Sequence, residues 1–176
     1  GQGFILAGDC GGGKSSAAIW IIKQLCLKNY KKQFCSERKR PYTCQFIEAQ
    51  RILDLIIDTW DNDSTTRYDS KKTLGKLEKV DLLVIDDLGA EYSSSFDWML
   101  SIFLKYIKGR VNSNLPTIIT MNYTPEQISA RFGESDFPRL SSILTEKFQV
   151  MLIKNPVDIR EEIAKNNDLF SKMSKE

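Results

Sequence analysis

The sequence predicts an α/β domain built on a mainly parallel β-sheet flanked by helices, and three observations support this. Segments with the apolar pattern of strands alternate along the chain with segments of helical period. The four apolar residues Leu82 to Ile85 are typical of a strand buried on both faces of a parallel sheet. A glycine-rich stretch, Gly8 to Ser15, lies between a predicted strand and a predicted helix. A length of 176 residues fits one domain, which we assign to residues 1–176.

The individual elements follow from apolar spacing and turn residues. Five strands are predicted, at Gly3–Gly8, Tyr42–Ile47, Leu82–Ile85, Thr117–Met121 and Phe148–Ile153. Segments of helical pattern are Lys14–Leu27, Arg51–Trp60, Lys71–Glu78, a helix that begins at Ser95, and Val157–Phe170. The polar stretch Asp61–Ser70 is predicted to be a loop, and Trp60 is predicted to pack in the core.

Composition excludes several classes of protein. Hydrophobic residues make up 41% and charged residues 27% of the chain, a balance typical of globular domains. The longest apolar run has six residues, whereas a membrane-spanning helix needs about 20, so we expect no membrane association. The chain has no histidine, which excludes Ser-His-Asp hydrolases, Cys-His proteases and histidine-ligated zinc. Its four cysteines form no C-x-x-C pair and no secretory signal is seen, so we expect reduced thiols in a cytoplasmic protein.

The glycine-rich stretch fits the phosphate-loop pattern G-x-x-x-x-G-K-[ST]. Its glycines allow backbone N–H groups to turn toward a phosphate, and the following helix directs its positive dipole end at the same anion. Lys14 is predicted to reach the β- and γ-phosphates, and the Ser15 hydroxyl to ligate Mg²⁺. The predicted nucleotide-binding residues are Gly8, Asp9, Cys10, Gly11, Gly12, Gly13, Lys14, Ser15 and Ser16.

Two carboxylates, Asp86 and Asp87, come directly after the buried strand at Leu82–Ile85. Asp86 is predicted to hold Mg²⁺, and Asp87 to orient or deprotonate the attacking water. These two motifs predict a P-loop nucleotidase without fixing its kind. No N-K-x-D motif reads guanine, no LSGGQ-type signature is present, and no arginine-bearing lid of a small-molecule kinase is evident. A nucleotide-binding regulatory module with negligible turnover remains an alternative.

Two longer stretches carry a family resemblance. LLVIDDLGAE (82–91) and TIITMNYTPEQI (117–128) resemble the AAA+ ATPases of the DnaC/DnaI helicase-loader family, a group that includes IstB-type transposition helpers. The resemblance implies a P-loop fold of AAA+ type with sheet order 5-1-4-3-2, and binding and hydrolysis of ATP with Mg²⁺. It also implies a replicative helicase as partner, with single-stranded DNA as a further candidate. A transposition helper acting on duplex DNA and a transposase is the alternative. In such loaders an upstream segment grips the helicase, and we expect that segment to be absent from this chain.

The resemblance also implies roles for single residues. Asn122 corresponds to the sensor-1 residue, Arg139 to an arginine finger, and Arg160 to sensor 2, so all three are predicted to be catalytic together with Lys14 and Asp87. A finger at Arg139 implies head-to-tail self-association, because it would complete the site of a neighbouring subunit. Glu91 is the alternative to Asp87 as the base.

One basic block remains outside these motifs. Lys28 to Arg40 contains six basic residues and one acid, a net charge of +5, with Tyr30 and Phe34 among them. Charge interleaved with aromatic residues is typical of proteins that bind single-stranded DNA. A solvated helix end and loop is the favoured interpretation of the same pattern.

Overall fold

The computed structural model describes residues 3–33, 42–89, 106–123, 127 and 147–154. Several sequence predictions lie outside these ranges: most of the helix that begins at Ser95, the helix Val157–Phe170, and the side chains of Glu91, Arg139 and Arg160. No helix among the described residues combines the length and apolarity needed to cross a membrane.

The described residues form one five-stranded parallel sheet with helices packed against it. The strands are β1 (Gly3–Ala7), β2 (Cys44–Glu48), β3 (Leu82–Leu88), β4 (Thr117–Met121) and β5 (Phe148–Leu152). The helices are α1 (Lys14–Gln33), α2 (Ala49–Asp58) and α3 (Ser64–Leu77), and residues 106–112 are also helical. The strand order is β2-β3-β4-β1-β5, and all four pairings are parallel. The predicted α/β architecture and sheet order are therefore confirmed.

The central strands are apolar because both of their faces are covered. Successive strand residues point to opposite faces of the sheet, so Ile5 packs in one cluster and Leu6 in the other. The first cluster includes residues of α2 and α3, such as Ile52 and Leu74. The second includes Ala18 of α1. Burial of these side chains supplies the main drive for folding and keeps the carboxyl ends of β1, β3 and β4 together.

Helix α3 contradicts the predicted loop at Asp61–Ser70. Its N-cap is Asp63, whose carboxylate accepts hydrogen bonds from the N–H groups of Thr65 at 3.2 Å and Thr66 at 3.1 Å. These bonds satisfy N–H groups that a first helical turn leaves unpaired. The Thr66 hydroxyl also donates to this carboxylate. That bond, followed by the two N–H bonds, lowers the pKa of Asp63. The helix thus begins seven residues earlier than the sequence predicts, which places Lys71 in its middle.

Two further expectations about helices are wrong. Trp60 is 61% exposed rather than packed in the core, because α2 ends at Asp58 and Trp60 lies in the turn that follows. Helix α1 extends to Gln33 instead of ending at Leu27, so residues 28–33 of the basic block are helical.

Arg110 ties together the end of the sheet opposite the carboxylates. It is 2% exposed, and its guanidinium donates to the Leu77 carbonyl at 2.7 Å, the Pro116 carbonyl at 2.9 Å and the Thr117 hydroxyl at 3.0 Å. A fourth, longer bond reaches the Glu78 carbonyl at 3.3 Å. Desolvation lowers the pKa of Arg110 to about 10, so it is still cationic at pH 7.

Candidate nucleotide-binding site

The loop between β1 and α1 has a backbone that requires glycine. Gly8, Gly11 and Gly13 have φ of 141°, 78° and 84°, a range that side chains with a Cβ rarely adopt. A Cβ on Gly8 would lie 2.3 Å from the carbonyl oxygen of Ile153, which follows β5. The N–H of Ile153 donates to the Ala7 carbonyl at 2.8 Å, so this neighbour is held in place. The loop therefore has the conformational demands of a phosphate loop.

Lys14 begins α1 and is 6% exposed. Its ammonium donates to the Gly8 carbonyl at 3.0 Å and to the Asp9 carbonyl at 2.6 Å. A buried cation held by carbonyl oxygens keeps its charge directed at the loop. Charge-assisted hydrogen bonds to phosphate oxygens are stronger than such bonds to carbonyls, so a bound polyphosphate can compete for this ammonium.

The sheet brings most of the predicted site residues to one open cleft. Parallel strands end at the same edge, and pairing of Ala7 with Met121 sets Gly8 beside Asn122 across the β1–β4 boundary. The cleft is lined by nine predicted residues, namely Cys10, Gly11, Gly13, Lys14, Ser15, Ser16, Asp86, Asp87 and Asn122. The other predicted loop residues, Gly8, Asp9 and Gly12, shape the loop behind this lining, and the Gly12 N–H donates to the Asp9 carbonyl at 3.3 Å.

The two carboxylates at the end of β3 have different surroundings. Asp86 is half-buried, and its Oδ1 accepts a hydrogen bond from the Thr120 hydroxyl at 2.6 Å. Asp87 is exposed, has a left-handed backbone with φ of 59°, and accepts a hydrogen bond from the Asn122 side-chain amide. The β3–β4 register shifts between Ile85 and Leu88, which is where these carboxylates lie. The distortion separates the two acidic groups, one held inside the cleft and one at its mouth.

Thr120 also lines the cleft, and the sequence predictions missed it. The only signal available is a hydroxyl within the strand TIITM, two residues before Asn122. That signal is weak because Thr117, at the other end of the same strand, is just as buried and bonds to Arg110 instead.

The oxygen ligands in the cleft fit Mg²⁺. The Ser15 hydroxyl and the Asp86 carboxylate are hard donors, as this ion prefers. The described residues contain no group of three histidine, cysteine or acidic side chains able to hold a metal. Mg²⁺ needs no such group, since it is usually held by one or two protein oxygens together with substrate phosphates and water.

Arg139 and Arg160 lie outside the described residues, as does the part of the basic block from 34 to 40.

Fold and site together define a class of protein. A parallel sheet of order β2-β3-β4-β1-β5, with a phosphate loop after β1 and an acidic pair at the end of β3, is the fold of P-loop NTPases of AAA+ type. The predicted fold class is therefore confirmed.

Known proteins with this fold include relatives detectable in sequence. The replicative helicase loader DnaC of Escherichia coli K12 is 28% identical over 137 residues, which are 78% of this chain and 49% of DnaC. The crystal structure of the DnaC helicase loader matches 87% of this chain and 78% of that one, with 26% identity and a TM-score of 0.59. The crystal structure of DnaI matches 89% and 72%, with 22% identity and a TM-score of 0.64, and shows the shared fold.

These likenesses confirm the predicted resemblance to the DnaC/DnaI helicase-loader family. No family model matches the chain. The chain spans about half the length of the curated DnaC relatives that it matches.

Proposed function

We propose that this domain binds ATP with Mg²⁺ and hydrolyses it. The observation that carries the proposal is that Lys14, Ser15 and Asp86 line the same cleft. In this proposal the loop N–H groups and Lys14 bind the phosphates, while Ser15 and Asp86 hold Mg²⁺. When bound, Mg²⁺ supplies neutralisation of the phosphate charge.

The proposed chemistry at the mouth of the cleft involves Asp87 and Asn122. Asp87 would orient the attacking water or accept its proton, because it is an exposed carboxylate on the cleft wall. The Asn122 amide donates to Asp87 Oδ1, which fixes that oxygen and directs the carboxylate. This contact supports a joint role for the two residues in aligning water.

The nucleotide proposal is tested by Lys14→Met, with Lys23→Met as the matched control. Lys23 is an exposed lysine on the same helix. We expect Lys14→Met to weaken binding of a fluorescent ATP analogue at least about 100-fold, because two or more charge-assisted contacts are lost. Lys23→Met should bind as wild type does, and circular dichroism should show both variants folded. Unchanged affinity in Lys14→Met would contradict the assignment.

A regulatory module with little turnover is the second candidate, and the short acidic side chain of Asp87 favours it. Asp87→Asn keeps the shape but removes the base, so binding should persist while single-turnover hydrolysis falls about 10²–10⁴-fold if Asp87 is the base. Equal, barely detectable hydrolysis in both proteins would instead support the regulatory candidate. Undiminished, substantial turnover would transfer the role to Glu91, which Glu91→Gln tests in the same assay.

We further propose that nucleotide state controls assembly of this protein on a replicative helicase, with single-stranded DNA as an additional ligand. Sequence similarity to a replicative helicase loader over 78% of the chain supports this partner class. An IstB-like helper that assembles on duplex DNA and a transposase is the alternative. Affinity capture from the native host with ATP or ADP, followed by mass spectrometry, distinguishes them by which enzyme is recovered. Recovery of neither, with nucleotide binding intact, would refute the partner proposal alone.

A further inference from the structure

The Thr120 hydroxyl bonds to both members of the acidic pair. Thr120 is 1% exposed and lies one residue before the end of β4. Its hydroxyl donates to Asp86 Oδ1 at 2.6 Å and accepts the backbone N–H of Asp87 at 2.8 Å. A hydroxyl has a single proton, so donation to Asp86 leaves its lone pairs for the Asp87 amide. One buried hydroxyl therefore holds both the Asp86 side chain and the backbone N–H of the next residue, Asp87.

The backbone at Asp87 explains why a side chain is needed there. Its φ of 59° lies in the left-handed region, which costs energy for a residue with a Cβ. The shift in β3–β4 register between Ile85 and Leu88 interrupts regular pairing at this point. The Asp87 N–H is thus paired with the Thr120 hydroxyl, which stabilises the turn that separates the two carboxylates.

We propose that Thr120 is a positioning residue that presents Asp86 to Mg²⁺–nucleotide, an inference that rests on the proposed function of the cleft. With Oδ1 engaged by Thr120, the orientation of the Asp86 carboxylate is fixed and its other oxygen remains for the ion. Groups that orient metal ligands typically change metal affinity 10- to 100-fold when removed. Thr120 acts through Asp86 and contacts no phosphate in this role.

A packing role for Thr120 makes a different prediction. If the residue only fills the core, valine should replace it well, because valine has nearly the same shape and no polar atom to bury. If the hydroxyl positions Asp86, serine should replace it and valine should not. Thr117 supplies the matched control, since it is a threonine of equal burial on the same strand but bonds to Arg110.

The experiment is a titration of a fluorescent ATP analogue into each protein, with EDTA and at increasing Mg²⁺ concentrations. For Thr120→Val we expect unchanged affinity in EDTA, while the Mg²⁺ concentration for half-maximal enhancement rises about 10-fold. Thr120→Ser should remain within about 3-fold of wild type. Thr117→Val can lose stability but should keep the wild-type Mg²⁺ dependence.

A second measurement requires neither metal nor nucleotide. Hydrogen exchange of the Asp87 amide should be at least about 10-fold faster in Thr120→Val than in wild type, because the amide loses its acceptor. If the valine variant fails to fold, Thr120→Cys is compared with Thr120→Ser instead, since both lack the threonine methyl group and the thiol is only a weak donor.

The outcomes separate the two proposals. Wild-type Mg²⁺ dependence in Thr120→Val, or equal impairment of Thr120→Ser and Thr120→Val, would overturn the positioning role while leaving nucleotide binding intact. Absence of nucleotide binding by the wild-type protein under every condition would overturn the proposed function itself.

Discussion

Replacement of Arg110 by methionine should destabilise the protein strongly without affecting the cleft. Methionine approximates the length of arginine but donates no hydrogen bond, so the Leu77 and Pro116 carbonyls lose their buried charged partner. The Pro116 carbonyl keeps the Leu83 N–H at 3.3 Å, whereas each polar group left unpaired in the interior costs about 1–3 kcal/mol. Removal of the desolvated charge offsets part of that loss, since burial lowers the pKa of Arg110 to about 10. We expect a net decrease of about 3 kcal/mol in the free energy of unfolding.

That decrease corresponds to a fall in Tm of about 6–12 °C for a protein of this size. Urea unfolding followed by circular dichroism should show a lower midpoint with an unchanged m-value. Arg67→Met is the control, because Arg67 is exposed on α3, and we expect it to change stability by less than about 0.5 kcal/mol. Nucleotide affinity of the folded Arg110→Met should equal that of wild type. Stability within about 0.5 kcal/mol of wild type would refute the reasoning.

Three further predictions use different parts of the molecule. Gly8→Ala should abolish nucleotide binding, because its Cβ would lie 2.3 Å from the Ile153 carbonyl oxygen. Gly75→Ala should instead raise stability by about 0.5–1 kcal/mol, since a Cβ at this position in helix α3 meets open space. Equal effects of the two substitutions on binding and on stability would contradict this prediction. Burial raises the pKa of Cys44 to about 12. At pH 8.5, iodoacetamide should therefore label Cys44 at least about 10-fold more slowly in the folded protein than in urea, as measured by peptide mass spectrometry. Equal labelling rates would show an accessible thiolate. Arg139→Ala and Lys14→Met should each be inactive as ATPases yet regain activity when mixed, if Arg139 completes a neighbour's site; a mixture that co-assembles and stays inactive would exclude this.

Ionisation of Cys44 also makes the stability of the fold depend on pH. Its pKa is raised in the folded state, so its contribution to stability is fully present below the ordinary pKa of 9.0. Above that pH the unfolded chain loses a proton that the folded chain retains, and this contribution declines until the folded pKa near 12 is reached. The Cys26 thiol, 3.4 Å from Cys44 Sγ, adds to the effect by hydrogen bonding.

The fold was predictable because its strongest signals are local. The phosphate-loop pattern, the four apolar residues before Asp86, and the apolar strand before Asn122 each indicate an element and an end of that element. The sheet order came from family resemblance, since no local pattern states which strands are neighbours. Helix α3 was missed over its first turns because Ser64 to Ser70 carries no apolar stripe. Helix α3 is stabilised instead by the Asp63 N-cap and by burial of Leu74 farther along.

The site was predictable only where a residue type is tied to a motif. Asp86 and Asp87 follow a recognisable apolar run, but nothing in the sequence states that one carboxylate is held inward and the other is exposed. That difference arises from the left-handed backbone at Asp87 and from Thr120, which is 34 positions away from Asp86 in the chain. Contacts over such separations depend on the register between β3 and β4, and register is a property of the assembled sheet.

Strand β4 shows how one residue type can serve two unrelated purposes within four positions. Thr117 and Thr120 are both 1% exposed, and in the sequence they are indistinguishable members of TIITM. At the amino end of the strand, Thr117 accepts a bond from Arg110, a contact that joins helix ends to the sheet. At the carboxyl end, Thr120 bonds to both acidic residues in the cleft. Because parallel strands place their carboxyl ends together, the position of a hydroxyl along β4 decides whether its loss should affect stability or ligand binding.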